Sequence, residues 1–210
     1  MLQKKMEYSP KISKTILAIE LADKNCTVAL SHRGILKELN FSKQRGRGLL
    51  QAISTLLNED NAKSTLAAIL IGIGPGSYTG LRIACTAGKM LGYGLGVPCY
   101  GISSFEAYAW KLQSKEPINF LIDAYRKQFY HAKYEIKNNE LKCTKGPRII
   151  EQNAWPKENE YVTPEHFASD IIQYFAHLQS QYNNTWEKQA KPAEPLYLRP
   201  PAFKHNKSTP

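Results

Sequence analysis

Gly72, Gly74, Gly76 and Gly80, with Pro75 and the hydroxyls of Ser77 and Thr79 set among them, are the residues best spaced for chemistry in this 210-residue chain. A turn this dense in glycine either lets backbone amides close around an anion or lets two backbones pass in contact. The apolar run at 66–71 reads as a buried strand entering the turn, and a helix leaves it through Tyr78, Leu81 and Arg82. Ser77 or Thr79 can accept a hydrogen bond from the first free amides of that helix.

Two phosphate-binding readings fail on spacing. A dinucleotide fingerprint starting at Gly74 requires glycine where Thr79 stands, and in a P-loop Gly-Lys precedes Ser or Thr, whereas Gly88-Lys89 runs into Met90. Spacing alone favours a tight strand-to-helix turn over a ligand loop. On the helix, Leu81, Ala84, Cys85, Gly88, Leu91, Gly92 and Leu95 recur at helical spacing and are mostly small, so this face admits another backbone closely. Arg82, Thr86, Lys89 and Tyr93 form the opposite stripe, ordinarily a solvated one, although Arg and Tyr together also mark protein interfaces.

The elements that position this loop are legible on both sides of it. Strands are read at 15–20, 26–31 and 34–41, the last two joined through His32-Arg33-Gly34 into an antiparallel meander. A helix over 48–58 puts Leu49, Ile53, Leu56 and Leu57 on one face, and beyond the small-residue helix come a strand at 100–102 and a helix over 104–115 opened by a Ser103 and Glu106 capping box. This order is that of a ribonuclease-H-like lobe, the unit of actin-like and sugar-kinase ATPases. The first strand with its acidic end, Glu20, is echoed by a strand at 120–122 with Asp123 and a further strand over 128–134. The expected class is α/β, an actin-like ATPase superfold of two lobes with the second truncated and degenerate. The divisions read as an N-terminal extension over 1–13, a first lobe over 14–116, a smaller lobe over 117–184, and a proline-rich tail over 185–210 that, aside from a short signature at Tyr197 to Arg199, is extended or disordered. Past Lys142 the chain reads as turns up to Pro164, then one helix over 165–181.

At 42% hydrophobic, the chain can bury one core or two small ones. No apolar run approaches the ~18 residues of a membrane span, and the basic start through Lys4 and Lys5 lacks the apolar core of a signal peptide, so a cytoplasmic location is expected. Cys26, Cys85, Cys99 and Cys143 form no Cys-x-x-Cys pair and read as reduced, buried thiols. The net charge of +10 suits a polyanion or an acidic partner. Yet Arg33, Lys43, Arg45, Arg126, Lys127, Lys188 and Arg199 are scattered without a nucleic-acid module, and the reading is a generally solvated basic surface with weak, salt-dependent polyanion binding.

The run Gly74-Pro75-Gly76-Ser77-Tyr78-Thr79-Gly80-Leu81-Arg82, then Ala87-Gly88-Lys89 and the segment 97–107 beginning Val97-Pro98-Cys99-Tyr100-Gly101, resembles the TsaB (YeaZ) family, a bacterial subunit that assists threonylcarbamoyladenosine formation on tRNA. The resemblance continues through Asp123-Ala124-Tyr125-Arg126 and ends at Pro195-Leu196-Tyr197-Leu198-Arg199. It implies a non-catalytic subunit, without cofactor or metal, that pairs with a TsaD-like catalytic subunit and a TsaE-like ATPase, meets tRNA through that complex, and forms a homodimer when alone. It further implies a partner interface at Leu49, Ile53, Arg82, Cys85, Gly88, Lys89 and Gly92, and a second-lobe motif at Asp123 and Arg126.

The residues themselves weigh against the competing class, an autonomous ATPase or small-molecule kinase of the same superfold. The first hairpin, Glu20-Leu21-Ala22-Asp23-Lys24-Asn25, has no Gly, Ser or Thr for phosphate, and no glycine follows Gly146 to build an adenine loop. Glu20 and Asp123 read as strand-end residues satisfied by turns. The five histidines include no pair at metal-ligand helical spacing, and Ser77 lacks a Gly-x-Ser-x-Gly elbow.

Overall fold

The computed structural model describes residues 3–6, 14–41, 47–155, 160–182 and 190–199. Six strands form one sheet: β1 (Gln3–Met6), β2 (Thr15–Glu20), β3 (Thr27–His32), β4 (Ile35–Asn40), β5 (Leu66–Gly72) and β6 (Cys99–Ile102), in the order β1-β4-β3-β2-β5-β6. The meander pairs antiparallel, whereas β5 and β6 join it in parallel, as the crossovers through helices α1 (Arg47–Leu57) and α2 (Tyr78–Leu95) require. β2 lies mid-sheet and is buried on both faces. Its Leu17 and Ile19 meet Leu49, Ile53 and Leu56 of α1 and Ala84 and Cys85 of α2, while Ile16 and Ala18 face the opposite layer.

That opposite layer holds a correction to the expected lobes. Helix α3 (Ser104–Leu112) leads into a three-stranded antiparallel sheet of β7 (Ile118–Asp123), β8 (Gln128–Lys137) and β9 (Glu140–Glu151), and the last helix, α4 (Ala168–Gln181), returns to the first sheet. Ile171, Ile172 and Phe175 of α4 pack on Ile16, Ala18 and Ala29. The helix start is tied there too: the Ala168 N–H donates to Thr27 Oγ1 (2.8 Å) and the Ser169 N–H to Glu38 Oε2 (2.8 Å), carboxylate against the positive helix end. The span 117–184 is therefore not a lobe by itself. Its strands form the second sheet and its helix completes the first unit.

Three further expectations change. β9 was expected as turns because Thr144, Gly146 and Pro147 break its pattern; as the edge strand it tolerates proline, and Gly146, at φ +90°, sits where the register shifts. Within the supposed extension, Gln3–Met6 adds a strand to β4. Residues 190–199 are an ordered extended strap, with the Gly101 N–H donating to Lys191 O (2.9 Å) and the Leu196 N–H to Ile73 O (2.8 Å). The remaining parts of 1–13 and 185–210, with Lys43, Arg45 and Lys188, lie outside the described residues. No helix among the described residues is long and apolar enough to cross a membrane.

Candidate functional site

β5 delivers the chain into the glycine turn, and what closes around the turn is the protein itself. The Ser77 N–H donates to Ala22 O (2.6 Å), and Ser77 Oγ caps α2 by accepting from the Gly80 N–H (3.2 Å). A Cβ added at Gly76 would collide with the Ala22 carbonyl and one at Gly80 with the Leu21 carbonyl. These two glycines are thus demanded by the first hairpin passing against the helix start. The Ala22 carbonyl takes the Ser77 amide and Ser77 Oγ takes that of Gly80, two donors that an anion at this helix start would otherwise meet.

The loop is equally bound to α3. The Gly74 N–H donates to Ser104 Oγ (3.1 Å), the Ser104 N–H donates to Gly74 O (3.0 Å), and Ser104 Oγ donates to Glu20 Oε2 (2.6 Å). Glu20, wholly buried at the end of β2, also accepts from the Ala22 N–H (2.7 Å), as its reading as a turn-satisfied residue anticipates, and Gly72 has no room for a Cβ beside its carboxyl group. Burial raises its pKa from 4.5 to about 7 against the pull of the Ser104 and Ala22 hydrogen bonds, with nearby Asp23 adding to the rise. The fold therefore holds the protonated acid more tightly than the unfolded chain does. Glu20's contribution to stability is therefore fully present below pH 4.5, is lost as pH rises toward 7, and is absent above it. The expected result is that Glu20→Gln, measured by urea unfolding at pH 5 and pH 8, removes roughly 2 to 3 kcal/mol of this pH-dependent loss. Identical pH profiles for variant and parent would contradict the assignment.

The strap crosses the outer side of the loop. Tyr197 stacks on Tyr78 with ring centroids 4.8 Å apart, and the Arg82 guanidinium lies 5.4 Å from the Tyr78 centroid. Arg199 reaches the second sheet, donating to Ala124 O (3.4 Å) and to Gln128 Oε1. Asp123 accepts from the Tyr125 N–H (2.7 Å), again satisfying a turn, and Arg126 stands exposed at the hairpin tip. Sequence reading found Tyr197 and Arg199 only as a motif; their partners lie far away in sequence, and only the fold reveals that they bridge loop and second sheet. Ser103 caps α3 by accepting from the Glu106 N–H (3.3 Å), but Glu106 turns its carboxylate to Lys191 on the strap (2.6 Å) and does not close the capping box. That ion pair borders a separate cavity of about 170 Å³, lined also by Tyr134, Tyr174 and Tyr182.

The expected partner interface divides in two. Leu49, Ile53, Cys85, Gly88 and Gly92 are corrected to core positions, all at or below 5% exposure where side chains exist to expose. Gly88 faces Ile71 and Ile19, and Gly92 faces Cys99 and the Val97 carbonyl, so the small-residue face approaches its own sheet. Arg82 and Lys89 stand exposed on the outward stripe, where Met90 is 68% and Tyr93 90% exposed. Leu50 of α1, 69% exposed, lies on the outer side of the same helical layer. Met90 and Leu50 were missed because an isolated apolar residue on a polar stripe carries no periodic signal. Of the cysteines, all free, Cys26 and Cys85 are buried as expected, whereas Cys99 is half-buried and Cys143 exposed. Among the described residues no group of three His, Cys, Asp or Glu is placed to hold a metal.

A mixed sheet between helical layers, with a second small sheet joined across a strap, defines a protein of the actin-like class. A solved structure from Pseudomonas aeruginosa, described as an uncharacterized protein with similarity to peptidase YeaZ, superposes with a TM-score of 0.73 over 89% of this chain and all of that one at 21% identity, a likeness of fold. The family model described as TsaD, tRNA N6-adenosine threonylcarbamoyltransferase, matches residues 24–176. The tRNA threonylcarbamoyladenosine biosynthesis protein TsaB of Bacillus subtilis is 34% identical over 60% of this chain and 58% of its own length. The Escherichia coli protein of the same name is 28% identical over 70% of this chain and 69% of its own. The chain belongs to this threonylcarbamoyltransferase family, on its TsaB (YeaZ) branch. The matched stretch spans less than two thirds of the B. subtilis protein.

Proposed function

We propose that this chain is a non-catalytic subunit of the bacterial tRNA threonylcarbamoyladenosine machinery, supporting a TsaD-like subunit, together with a TsaE-like ATPase, in transferring threonylcarbamoyl to the adenosine beside the anticodon. The observation that carries this reading is the closed glycine loop. The first hairpin, where an actin-like ATPase would hold phosphate, has no Gly, Ser or Thr, and its Leu21 and Ala22 carbonyls press on the start of α2 while the Leu196 amide takes the Ile73 carbonyl, which supports a subunit that holds no nucleotide of its own. A subunit of this kind acts by presenting a surface. The outward stripe of α2, with Arg82, Lys89, Met90 and Tyr93, and Leu50 on α1, offer apolar area rimmed by cations, the composition of a protein interface. Without its partner the same face pairs two copies. The test is reconstitution: alone the chain neither hydrolyses ATP nor modifies tRNA, and turnover by the isolated chain would refute the proposal.

A further inference from the structure

The outer face of the second sheet gathers positive charge that the fold does not use. In the β8–β9 register Lys133 stands opposite Lys145 and His131 opposite Arg148. Lys133 and Lys145 face each other between two shifts of register, and like charges brought opposite on neighbouring strands oppose pairing. Ala132 and Tyr134 turn inward to Phe105 and Phe120, which leaves His131 and Lys133 on the outer face, where Asn119 Oδ1 lies 3.3 Å from His131 Nε2. Lys145 and Arg148 are exposed and Lys133 half-buried. None of the three forms an ion pair with a carboxylate among the described residues, and nearby Glu135 is taken by Lys137 (2.9 Å). The imidazole reports the field: burial, then Arg148, Lys145 and Lys133, lower the His131 pKa to about 4. Trp155 packs over His131, and Tyr161 beside it is 53% exposed, an aromatic surface at the edge of the cations.

We infer that Lys133, Lys145 and Arg148 form a direct contact surface for the phosphate backbone of RNA, with Tyr161 available to an unstacked base. This rests on the proposed role in tRNA modification for its partner, and narrows the scattered positive charge to one face of one sheet. A polyanion is the occupant that fits, because each phosphate relieves the cross-strand repulsion and releases its counterions. An acidic protein segment is the competing occupant.

The experiment compares the full chain with two triple variants, Lys133→Gln/Lys145→Gln/Arg148→Gln and, as a charge-matched control, Arg33→Gln/Lys63→Gln/Lys115→Gln. Binding of a folded tRNA transcript is followed by fluorescence anisotropy from 30 to 200 mM salt, beside a poly-glutamate peptide and thermal melting. The sheet variant should bind tRNA at least about tenfold more weakly, with a log–log salt slope shallower by about two, while melting no lower than the parent. The control should keep most of its affinity. A single Lys145→Glu, should the triple variant misfold, must also weaken binding. Equal losses in both triples, no tRNA binding by the parent at 30 mM salt, or tighter capture of poly-glutamate than of tRNA would overturn the inference. Loss of tRNA binding by the sheet variant alone, in a chain that nevertheless fails to support a TsaD-like enzyme, would instead retain the RNA surface and remove the proposed function.

Discussion

Gly80→Ala should destabilise the chain by about 3 kcal/mol or more, a fall of about 6 to 12 °C in melting temperature for a domain of this size. The added methyl group meets the Leu21 carbonyl, a backbone atom that cannot rotate away, and separating the two would also pull Ala22 O from the Ser77 amide that it binds at 2.6 Å. Gly94 in the same helix provides the contrast. Nothing lies within 4 Å of a Cβ there, so Gly94→Ala should raise stability by several tenths of a kcal/mol through helix propensity alone. Circular dichroism melts of the two variants check both signs, and similar melting temperatures would show that the hairpin does not press on the helix start.

The second large effect is expected on association and not on folding. Met90→Ala with Tyr93→Ala removes the two most exposed apolar side chains of α2, and loss of interface anchors of this kind typically costs 2 kcal/mol or more, about thirtyfold in affinity. Because both side chains project into solvent in the free chain, the melting temperature should move by no more than about 1 °C. Gly88→Leu should do the reverse, lowering stability by ~1 to 3 kcal/mol as the new side chain meets Ile71 and Ile19. Titration calorimetry against a TsaD-like subunit, with melts of each free variant, separates the two faces of one helix. Unchanged affinity in the Met90 and Tyr93 double variant would remove α2 from the interface.

These paired expectations show where the sequence was readable. Strand β2, the meander, the glycine turn and the helix after it follow from apolar runs, a hairpin signal and periodicity, each local within a few residues. Periodicity told which residues of α2 share a face but not what covers that face. The stripe through Ala84, Gly88 and Gly92 was read as a meeting place for a partner, and it is the place where β5 and β2 lie beneath the helix. The return of α4 to the first sheet was beyond reach for the same reason: the acceptors at its start, Thr27 and Glu38, come from strands more than 100 residues earlier. The strap was obscured by its prolines, which suit an extended segment held by Ile73 and Tyr78 as well as they suit an unstructured one.

The central claim, that this chain acts only through a catalytic partner, is tested most directly by quantifying threonylcarbamoyladenosine in tRNA incubated with ATP, a supply of the threonylcarbamoyl donor and a TsaE-like ATPase. This chain and a TsaD-like subunit are added separately and together. The expected result is no modified nucleoside with this chain alone, little with the TsaD-like subunit alone, and robust formation with both. Modification or ATP turnover by this chain without the TsaD-like subunit, or formation with that subunit that is indifferent to this chain, would contradict the claim.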